Sequence, residues 1–328
     1  MAQDTAGPGD DRMNFPFVGI PTFLRSPIET DLSKLDADIA VLGVPTDEGS
    51  PFMGGSRLAP RSIREHSMRL YAPNGYWEIE SEKRFLGPEM QNKRIVDCGD
   101  VDVLPTAVER TFDNITRDVK GILDAGAMPV VIGGDHAITF GVVRAYPEDQ
   151  PLWVIHFDAH LDYAPFIHDL RFTNAHAFRM ITPLPHVQQI IQAGIRSLRT
   201  REELVAESRD DGNAVFSMGD FRKTGPEGLA QRVPKDARVF VSIDIDALDI
   251  SLVPGCVSAE PNGMTYAELR DTLQAIARHA EVVGFDFVEV NPLLDVATGV
   301  TSYLGAHTMV EFLGAICDQP RWREKHPE

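Results

Sequence analysis

Cysteine is scarce in this sequence: Cys98, Cys256 and Cys317 are scattered over 328 positions. An odd number without paired spacing argues against a disulfide scaffold and for a reducing, cytoplasmic setting. Long apolar runs are missing too. No stretch of about 18 apolar residues occurs, so no membrane-spanning helix is expected. The opening MAQDTAGPGDDRMNF has neither a basic n-region nor an apolar h-region. Residues 1–14 read as a disordered tail rather than a signal peptide, with one domain over 15–328. Basic charge is in deficit: 31 Lys and Arg stand against 49 Asp and Glu, a formal net charge of −18. That excess argues against nucleic acid and anionic membranes as partners and suits a cationic small molecule. No Pro/Gly/Ser-rich linker, internal repeat or low-complexity block divides the chain.

What is present is an alternation of two element types. Short β-branched runs fall at 38–44, 94–99, 128–134, 152–158, 190–196, 214–218, 238–246 and 280–290. Helix-period segments lie between many of them, including 108–126 and 265–280. The latter opens on Thr265 with Glu268 three residues on, a capping-box pattern. Continuous apolar strands alternating with helices predict an α/β fold with a mostly parallel sheet covered on both faces. The least regular stretch runs from Tyr163 to Pro185, and loops of that length are often functional.

Ligands of open α/β sheets bind beyond the carboxyl ends of the strands, and three strand ends carry unusual chemistry. In VVIGGDHAITFG (130–141) two glycines permit a tight turn and close backbone approach, Asp135 can cap a helix, and His136 is a candidate metal ligand. In HFDAHLDYAP (156–165), Asp158, His160 and Asp162 alternate. Alternation is the period of an extended chain and predicts three side chains on one side. Such groups repel one another and are costly to bury, so a cation is expected among them. His156 reads as a packed residue supporting the ligands rather than as one of them. In VFVSIDIDALD (239–249), Asp244 and Asp246 end a strand that is apolar on both faces, which again calls for a cation. Asp249 is given no ligand role. His136, Asp158, His160, Asp162, Asp244 and Asp246 exceed what one catalytic metal takes from protein and fit two, with carboxylates shared. Oxygen and imidazole donors without thiolate suit Mn²⁺ and leave Ni²⁺ open.

GGDH, then D-A-H-x-D, then S-x-D-x-D are the ordered signatures of the ureohydrolases, the arginase and agmatinase family of binuclear metal amidinohydrolases. The sequence resembles that family from GIPTFLRSP (19–27) to EVNP (289–292). GVPTDEGSPFMGGSRLAPRSIR (43–64) is similar to its early loop and helix, and GIPTFLR looks most like the agmatinase and guanidinobutyrase branch. The resemblance implies a three-layer α/β/α fold with a central mostly parallel sheet of about eight strands. It implies a Mn²⁺ pair, nickel in some relatives, and homotrimers or homohexamers. It also implies His136 and Asp162 on one metal, His160 and Asp246 on the other, and Asp158 and Asp244 bridging. His176, in TNAHAFR, matches a loop histidine that shuttles protons, and Glu289 matches the glutamate that receives the substrate guanidinium. The implied reaction is hydrolysis of a small guanidino compound, agmatine-like or another guanidine or biguanide, to urea and an amine. Metal-activated hydroxide would attack the guanidinium carbon and His176 would protonate the leaving amine.

The sequence departs from the family at the substrate rim. Where agmatinases commonly carry A-P-G-T-G-T-P-x-P-G-G, it reads VPGCVSAEPNGMTY (253–266), with Cys256, Val257, Ser258, Ala259 and Glu260 replacing small residues and Asn262 replacing glycine. Ala177 stands where glycine is typical. Phe172, Asn174 and Cys256 are expected to line the substrate pocket, with Phe166 beside them. Two alternatives stand beside this reading. One is a deacetylase-like amide hydrolase with a single Zn²⁺, against which Asp162 and the pair Asp244 and Asp246 speak. The other is a subunit that completes or regulates a paralogous chain.

Overall fold

The computed structural model describes residues 15–327; the expected tail at 1–14 lies outside them. Each apolar run becomes a strand. In chain order the elements are β1 (Ile39–Val44), α1 (Ala59–Ser67), β2 (Tyr76–Glu78), β3 (Lys83–Phe85), α2 (Gly87–Gln91), β4 (Ile95–Asp100), α3 (Val108–Asp124), β5 (Met128–Gly133), α4 (Ile138–Val143), β6 (Leu152–Phe157), α5 (Ala177–Ile181), β7 (Val187–Ile195), α6 (Glu202–Asp210), β8 (Ala214–Ser217), α7 (Met218–Ala230), β9 (Arg238–Asp244), α8 (Tyr266–His279), β10 (Glu281–Val288), α9 (Val300–Cys317) and α10 (Pro320–Lys325). Eight strands form one sheet in the order β4-β1-β5-β10-β9-β6-β7-β8, and every pairing in it is parallel. The hairpin of β2 and β3 stands apart; its half-exposed YWE and KRF carry no strand pattern long enough to be read in the sequence.

Strand periodicity sorts the core into two layers. Val41, Ile132, Phe157, Val241 and Phe287 face one side, packed with residues of α1, α7, α8 and α9. Leu42, Val131, Val154, Phe240 and Val288 face the other, packed with α3, α4 and α5. Both faces are thus covered, as a parallel sheet requires. The capping box forms at α8: the Thr265 hydroxyl accepts from the Glu268 N–H and the Glu268 carboxylate accepts from the Thr265 N–H. No helix of the described residues is long and apolar enough to cross a membrane.

Candidate metal centre

The three polar motifs end three of the four central strands of the sheet. β5 delivers His136, β9 delivers Asp244 and Asp246, and β6 delivers Asp158, His160 and Asp162, while β10, between β5 and β9, delivers Glu289. Each strand end turns in its own way. After β5 the chain passes so close to β1 that a Cβ on Gly134 would lie 2.2 Å from the Thr46 carbonyl oxygen, which makes glycine obligatory there. Asp135 then caps the turn, its carboxylate accepting from Ala137 N–H at 3.0 Å and from Gly49 N–H at 2.8 Å.

The extended alternation expected for Asp158, His160 and Asp162 does not occur. β6 ends at Phe157, and the next residues turn, with Asp162 in the left-handed region at φ 47°. The side chains converge because the Asp158 carboxylate accepts from His160 N–H at 2.5 Å and folds the segment back on itself. Asp246 likewise sits in a 3-10 turn of Ile245–Ala247 rather than in a strand, with its N–H donating to Asp244 Oδ1 at 2.8 Å.

Two histidine nitrogens mark two foci. His136 Nδ1 lies 3.0 Å from Asp158 Oδ2, 3.3 Å from Asp162 Oδ2 and 3.0 Å from Asp244 Oδ2. His160 Nδ1 lies 3.2 Å from Asp158 Oδ1 and 3.0 Å from Asp246 Oδ2. Asp158 therefore offers one oxygen to each focus. Asp244 belongs to the first focus through Oδ2, and one of its oxygens also lies near the carboxylate of Asp246 and the Cys256 sulfur.

Whether a cation suits these foci is answered by the other side of each ring. Ser242 Oγ donates to Asp286 Oδ1 at 2.6 Å, so its lone pair accepts from His136 Nε2–H at 2.9 Å. Thr139 Oγ1 holds the second Asp286 oxygen at 2.8 Å. The relay fixes the proton on Nε2 and aims Nδ1 at three carboxylate oxygens, an arrangement that only positive charge stabilises. Electrostatics agree. Burial opposes a charge on His136, yet Asp158 and Asp244 outweigh it and hold its pKa well above the ordinary histidine range. The same contest, with Asp246 and Asp158 as the anions, pushes His160 up to about 12. Burial, then Asp158, drives Asp162 well above the carboxylate range; burial, then Asp246, does so for Asp244. The cluster is short of cations, and a proton can supply only one charge per site. Two divalent ions would cancel the four carboxylates, so the donor set fits the metal pair. His156 supports it: its Nε2–H donates to Asp158 Oδ2 at 2.8 Å, its Nδ1 accepts from Gln192 at 3.2 Å, and its ring stacks on Phe178 at 3.6 Å.

Above the foci opens a cavity of about 270 Å³ lined by His160, Asp162, Asn174, Asp244 and Glu289 at its inner end and by Arg199 and Arg201 among its other walls. Glu289 adopts φ 65° and its Oε1 accepts from His136 N–H at 2.9 Å and Asn174 Nδ2 at 3.3 Å. Burial pushes its pKa up to about 7. Among the described residues, nothing hydrogen-bonds its Oε2.

Asn174 is thus where a pocket residue is expected, but Phe172 is not. Its ring packs on Phe112 at 4.7 Å and Phe140 at 6.4 Å, joining the core instead of the cavity wall. Burying an aromatic ring against two others is worth more than exposing it at a polar rim. Cys256 also stays off the wall: it bridges to Val290 in the backbone and its sulfur lies beside Asp244 and Asp246. Phe166 stacks under Arg171 at 4.5 Å. His176 is buried within its loop, with Nδ1 2.6 Å from Thr173 Oγ1 and Nε2 donating to the Pro165 carbonyl at 3.2 Å. Both nitrogens are engaged, and the ring lies outside the cavity wall.

Several contributors escape a reading of motifs. Ser242 and Asp286 are single polar residues inside apolar strands, and that isolation is the signal that points to them. Ser258, on the altered rim, donates to Asp246 Oδ2 at 3.1 Å. Arg196 ties the same rim to the centre through the carbonyls of Asp246 at 2.7 Å and Glu260 at 2.9 Å.

The model of the arginase family matches residues 37–314. The chain is 32% identical over 323 residues to the guanidinopropionase of Pseudomonas aeruginosa, covering 95% of this chain and 96% of that one. It is 30% identical over 311 residues to the proclavaminate amidinohydrolase of Streptomyces clavuligerus, covering 93% and 95%. A solved structure of the proclavaminate amidinohydrolase from Streptomyces clavuligerus superimposes with a TM-score of 0.80 over 92% of this chain and 98% of that chain. An agmatine ureohydrolase from Thermoplasma volcanium, 27% identical, superimposes with a TM-score of 0.73 over 91% and 96%.

Proposed function

The chain belongs to the arginase family, and on that premise we propose that it hydrolyses a small guanidino compound to urea and an amine with the help of two divalent metal ions, Mn²⁺ or Ni²⁺. The observation that carries this reading is the pair of foci at which His136 Nδ1 and His160 Nδ1 meet carboxylate oxygens at 3.0–3.3 Å, directly beneath a buried glutamate. His136, Asp158, Asp162 and Asp244 would hold one ion; His160, Asp158, Asp244 and Asp246 would hold the other. Bound ions of this kind lower the pKa of water and so provide a nucleophile strong enough for a resonance-stabilised guanidinium.

The remaining work falls to the chain's own groups. Glu289 has Oε1 pinned by His136 N–H and Asn174, which leaves Oε2 to receive an N–H of the planar cation. A charge-assisted hydrogen bond of this type fixes orientation as well as charge, and would hold the guanidinium in the cavity that Asp162, Asp244 and His160 also line. As the oxygen of water adds to that carbon and the bond to the leaving nitrogen breaks, the leaving nitrogen must gain a proton. His176 can deliver it only after its Nε2 leaves the Pro165 carbonyl. In the present geometry it serves first as the anchor of the 163–185 loop.

The paired foci favour two metals over a single-zinc deacetylase, because Asp158 presents a separate oxygen to each histidine. The test is urea release from agmatine, arginine, 3-guanidinopropionate, 4-guanidinobutyrate, guanidine and a dimethylbiguanide by protein loaded with Mn²⁺ or with Ni²⁺. Urea from at least one, with about two metals per chain, is expected. Silence across the panel in both metal forms defeats the reading.

A further inference from the structure

The cavity over the metal centre, from its floor of ligands to its mouth between loops, takes up the carboxyl ends of the strands. A second pocket opens at their other end. Met128, Arg238 and Glu281, the first residues of β5, β9 and β10, line it. The seven residues of β9 run from it to Asp244, about 20 Å at the usual rise of a strand. Its volume of about 360 Å³ falls in the range of about 300–1,000 Å³ usual for small-molecule sites. Most of its wall is apolar, with Met128, Val282, Ile316 and Trp322 among its residues. The charged residues on the wall are Arg238, Arg321, Lys325 and Glu281. Three cations to one acid reverse the balance of a chain with 31 basic and 49 acidic residues.

The arginines differ in what else they hold. Arg321 Nη2 donates to the Arg278 carbonyl, in the last turn of α8, at 2.9 Å and lies 3.1 Å from Asp236 Oδ1. That is a common use of arginine at a helix C-terminus, where carbonyls lack partners. Its Nη1 is nonetheless shut off from solvent without an acceptor. Arg238 does nothing of the kind. Among the described residues its guanidinium makes no hydrogen bond and no ion pair, and its Nη1 too is shut off from solvent. Glu281 stands opposite Arg238 in the β9–β10 register, yet no ion pair joins them. A guanidinium carries five N–H donors. Partly withdrawn from water and without an acceptor, such a charge is costly to hold, and an anion in the pocket would offset that cost. Lys325, exposed at the end of α10, adds a third charge to the same wall.

We propose that this pocket is a second binding site, remote from the metal centre, for a small monocarboxylate with an apolar body. The carboxylate accepts from the free N–H groups of Arg238, since a guanidinium can give a carboxylate two parallel bonds. Arg321 and Lys325 add positive potential, and the apolar body lies against the wall that includes Ile316 and Trp322. A single charge is favoured over several. Glu281 stands in the wall, and the last turns of α8 and α9 contribute Ala277 and Ile316 to it; both features add negative potential. A bare inorganic anion would leave the apolar part of the wall uncovered. No metal ligand takes part, so the proposal stands apart from the amidinohydrolase reading.

The experiment is calorimetry on the Mn²⁺-loaded full chain with four probes: hexanoate, 3-phenylpropionate, the neutral 3-phenylpropanamide and inorganic phosphate. At least one of the two carboxylates should bind, and the amide should bind at least about ten-fold more weakly than its acid. Arg238→Met keeps the apolar stem and removes the charge. It should weaken carboxylate binding by about 10- to 100-fold, from the usual worth of a charged hydrogen bond. Arg238→Lys should recover part of that loss. Lys325→Gln, at an exposed position, should show a smaller loss in the same direction. Mn²⁺ should bind Arg238→Met as it binds wild type, because the pocket and the metal centre are separate. Thermal melting gives a second reading. Without a carboxylate, Arg238→Met should melt at the temperature of wild type or above it, since an unpaired guanidinium has gone. Adding the bound carboxylate should raise the melting temperature of wild type alone. Binding by neither carboxylate at millimolar concentration overturns the proposal. So does equal carboxylate affinity in wild type and Arg238→Met, which would place the carboxylate elsewhere, for example on the metal pair. Binding of phosphate alone through Arg238 overturns the choice of ligand. A clearly lower melting temperature of Arg238→Met would make the guanidinium a brace of the fold and sink the site.

Discussion

The floor and the mouth of the cavity are built by opposite means. The floor is made of strand ends. β5, β10, β9 and β6 lie side by side in the sheet, and each needs only one turn beyond its last residue to bring a polar side chain to the site. His136, Asp158 and Asp246 are fully buried there, and their partners are fixed by backbone N–H groups and by the relay through Ser242 and Asp286. The mouth is made of loops: residues 163–185, the arginines after β7 and the rim at 253–262. Its arginines and much of its rim face solvent, and its contacts join loops rather than neighbouring strands. Chemistry common to a family can therefore sit on the floor while the mouth changes to suit the substrate, and the divergent VPGCVSAEPNG segment lies on the changeable side.

If that division holds, damage should grow with depth. The largest effect is expected at Asp158, the carboxylate shared by both foci. Asp158→Asn should reduce urea release by on the order of a thousand-fold or more, as losing metal catalysis worth several kcal/mol implies. Metal analysis should show fewer than two ions bound per chain. Metal-free protein should respond in the opposite direction. Burial, then Asp158, disfavours the charge on Asp162 when no metal is bound, so the melting temperature of the metal-free Asp162→Asn protein should equal or exceed that of the wild type. The gain on adding Mn²⁺ should shrink. A wild-type level of activity in Asp158→Asn would erase the distinction between floor and mouth.

One step out, Glu289→Gln keeps the shape of the guanidinium contact and removes its charge. The expected result is a KM raised by about 10- to 100-fold, with metal content unchanged. Behind the ligands, Ser242→Ala removes the acceptor of His136 Nε2–H. It should weaken Mn²⁺ binding by about 10- to 100-fold, the usual cost of losing an outer-shell partner, with little change in KM at saturating metal. If Ser242→Ala binds Mn²⁺ as wild type does, the tautomer of His136 is set by the metal and not by the relay.

The same division governs what is legible in the sequence. Eight apolar runs become eight strands because burial on both faces leaves little freedom in pattern, and Thr265 with Glu268 marks the start of α8 because a capping box is a local interaction. The six candidate ligands are legible because carboxylates buried at strand ends repel one another unless a cation lies among them. Their route to one another is not: alternation suggests an extended segment, whereas a left-handed Asp162 and the bond from His160 N–H to Asp158 bring them together. Nor can the sequence separate the rim from the core within the 163–185 loop. Phe172 and Asn174 are two residues apart, yet one joins Phe112 and Phe140 while the other reaches Glu289, 115 positions away. Arg199 meets His160 across 39 positions. Such pairings depend on where two loops cross, and no local pattern encodes that.

The smallest effect is expected at His176, where the loop meets the floor. Burial lowers its pKa below the ordinary histidine value; Arg179 and Arg171 add to that, and only the Pro165 carbonyl opposes it. The sign follows from which form the folded loop tolerates. The opened loop takes up a proton near the ordinary pKa of about 6.5, and the closed loop does so only at lower pH. The anchoring of the loop is therefore complete above about pH 6.5 and is lost as the pH falls through the folded value. Hydrogen exchange of the backbone amides at 163–185 should be slow at about pH 7.5 and faster at about pH 5.5, on either side of the ordinary histidine pKa of about 6.5, after correction for intrinsic exchange. Strand amides such as those of β9 should show no such change. His176→Asn should exchange faster at both pH values and lose the pH dependence. If the dependence survives that substitution, another group anchors the loop, and the contact of His176 with Pro165 is then free to break during turnover without opening the wall of the cavity.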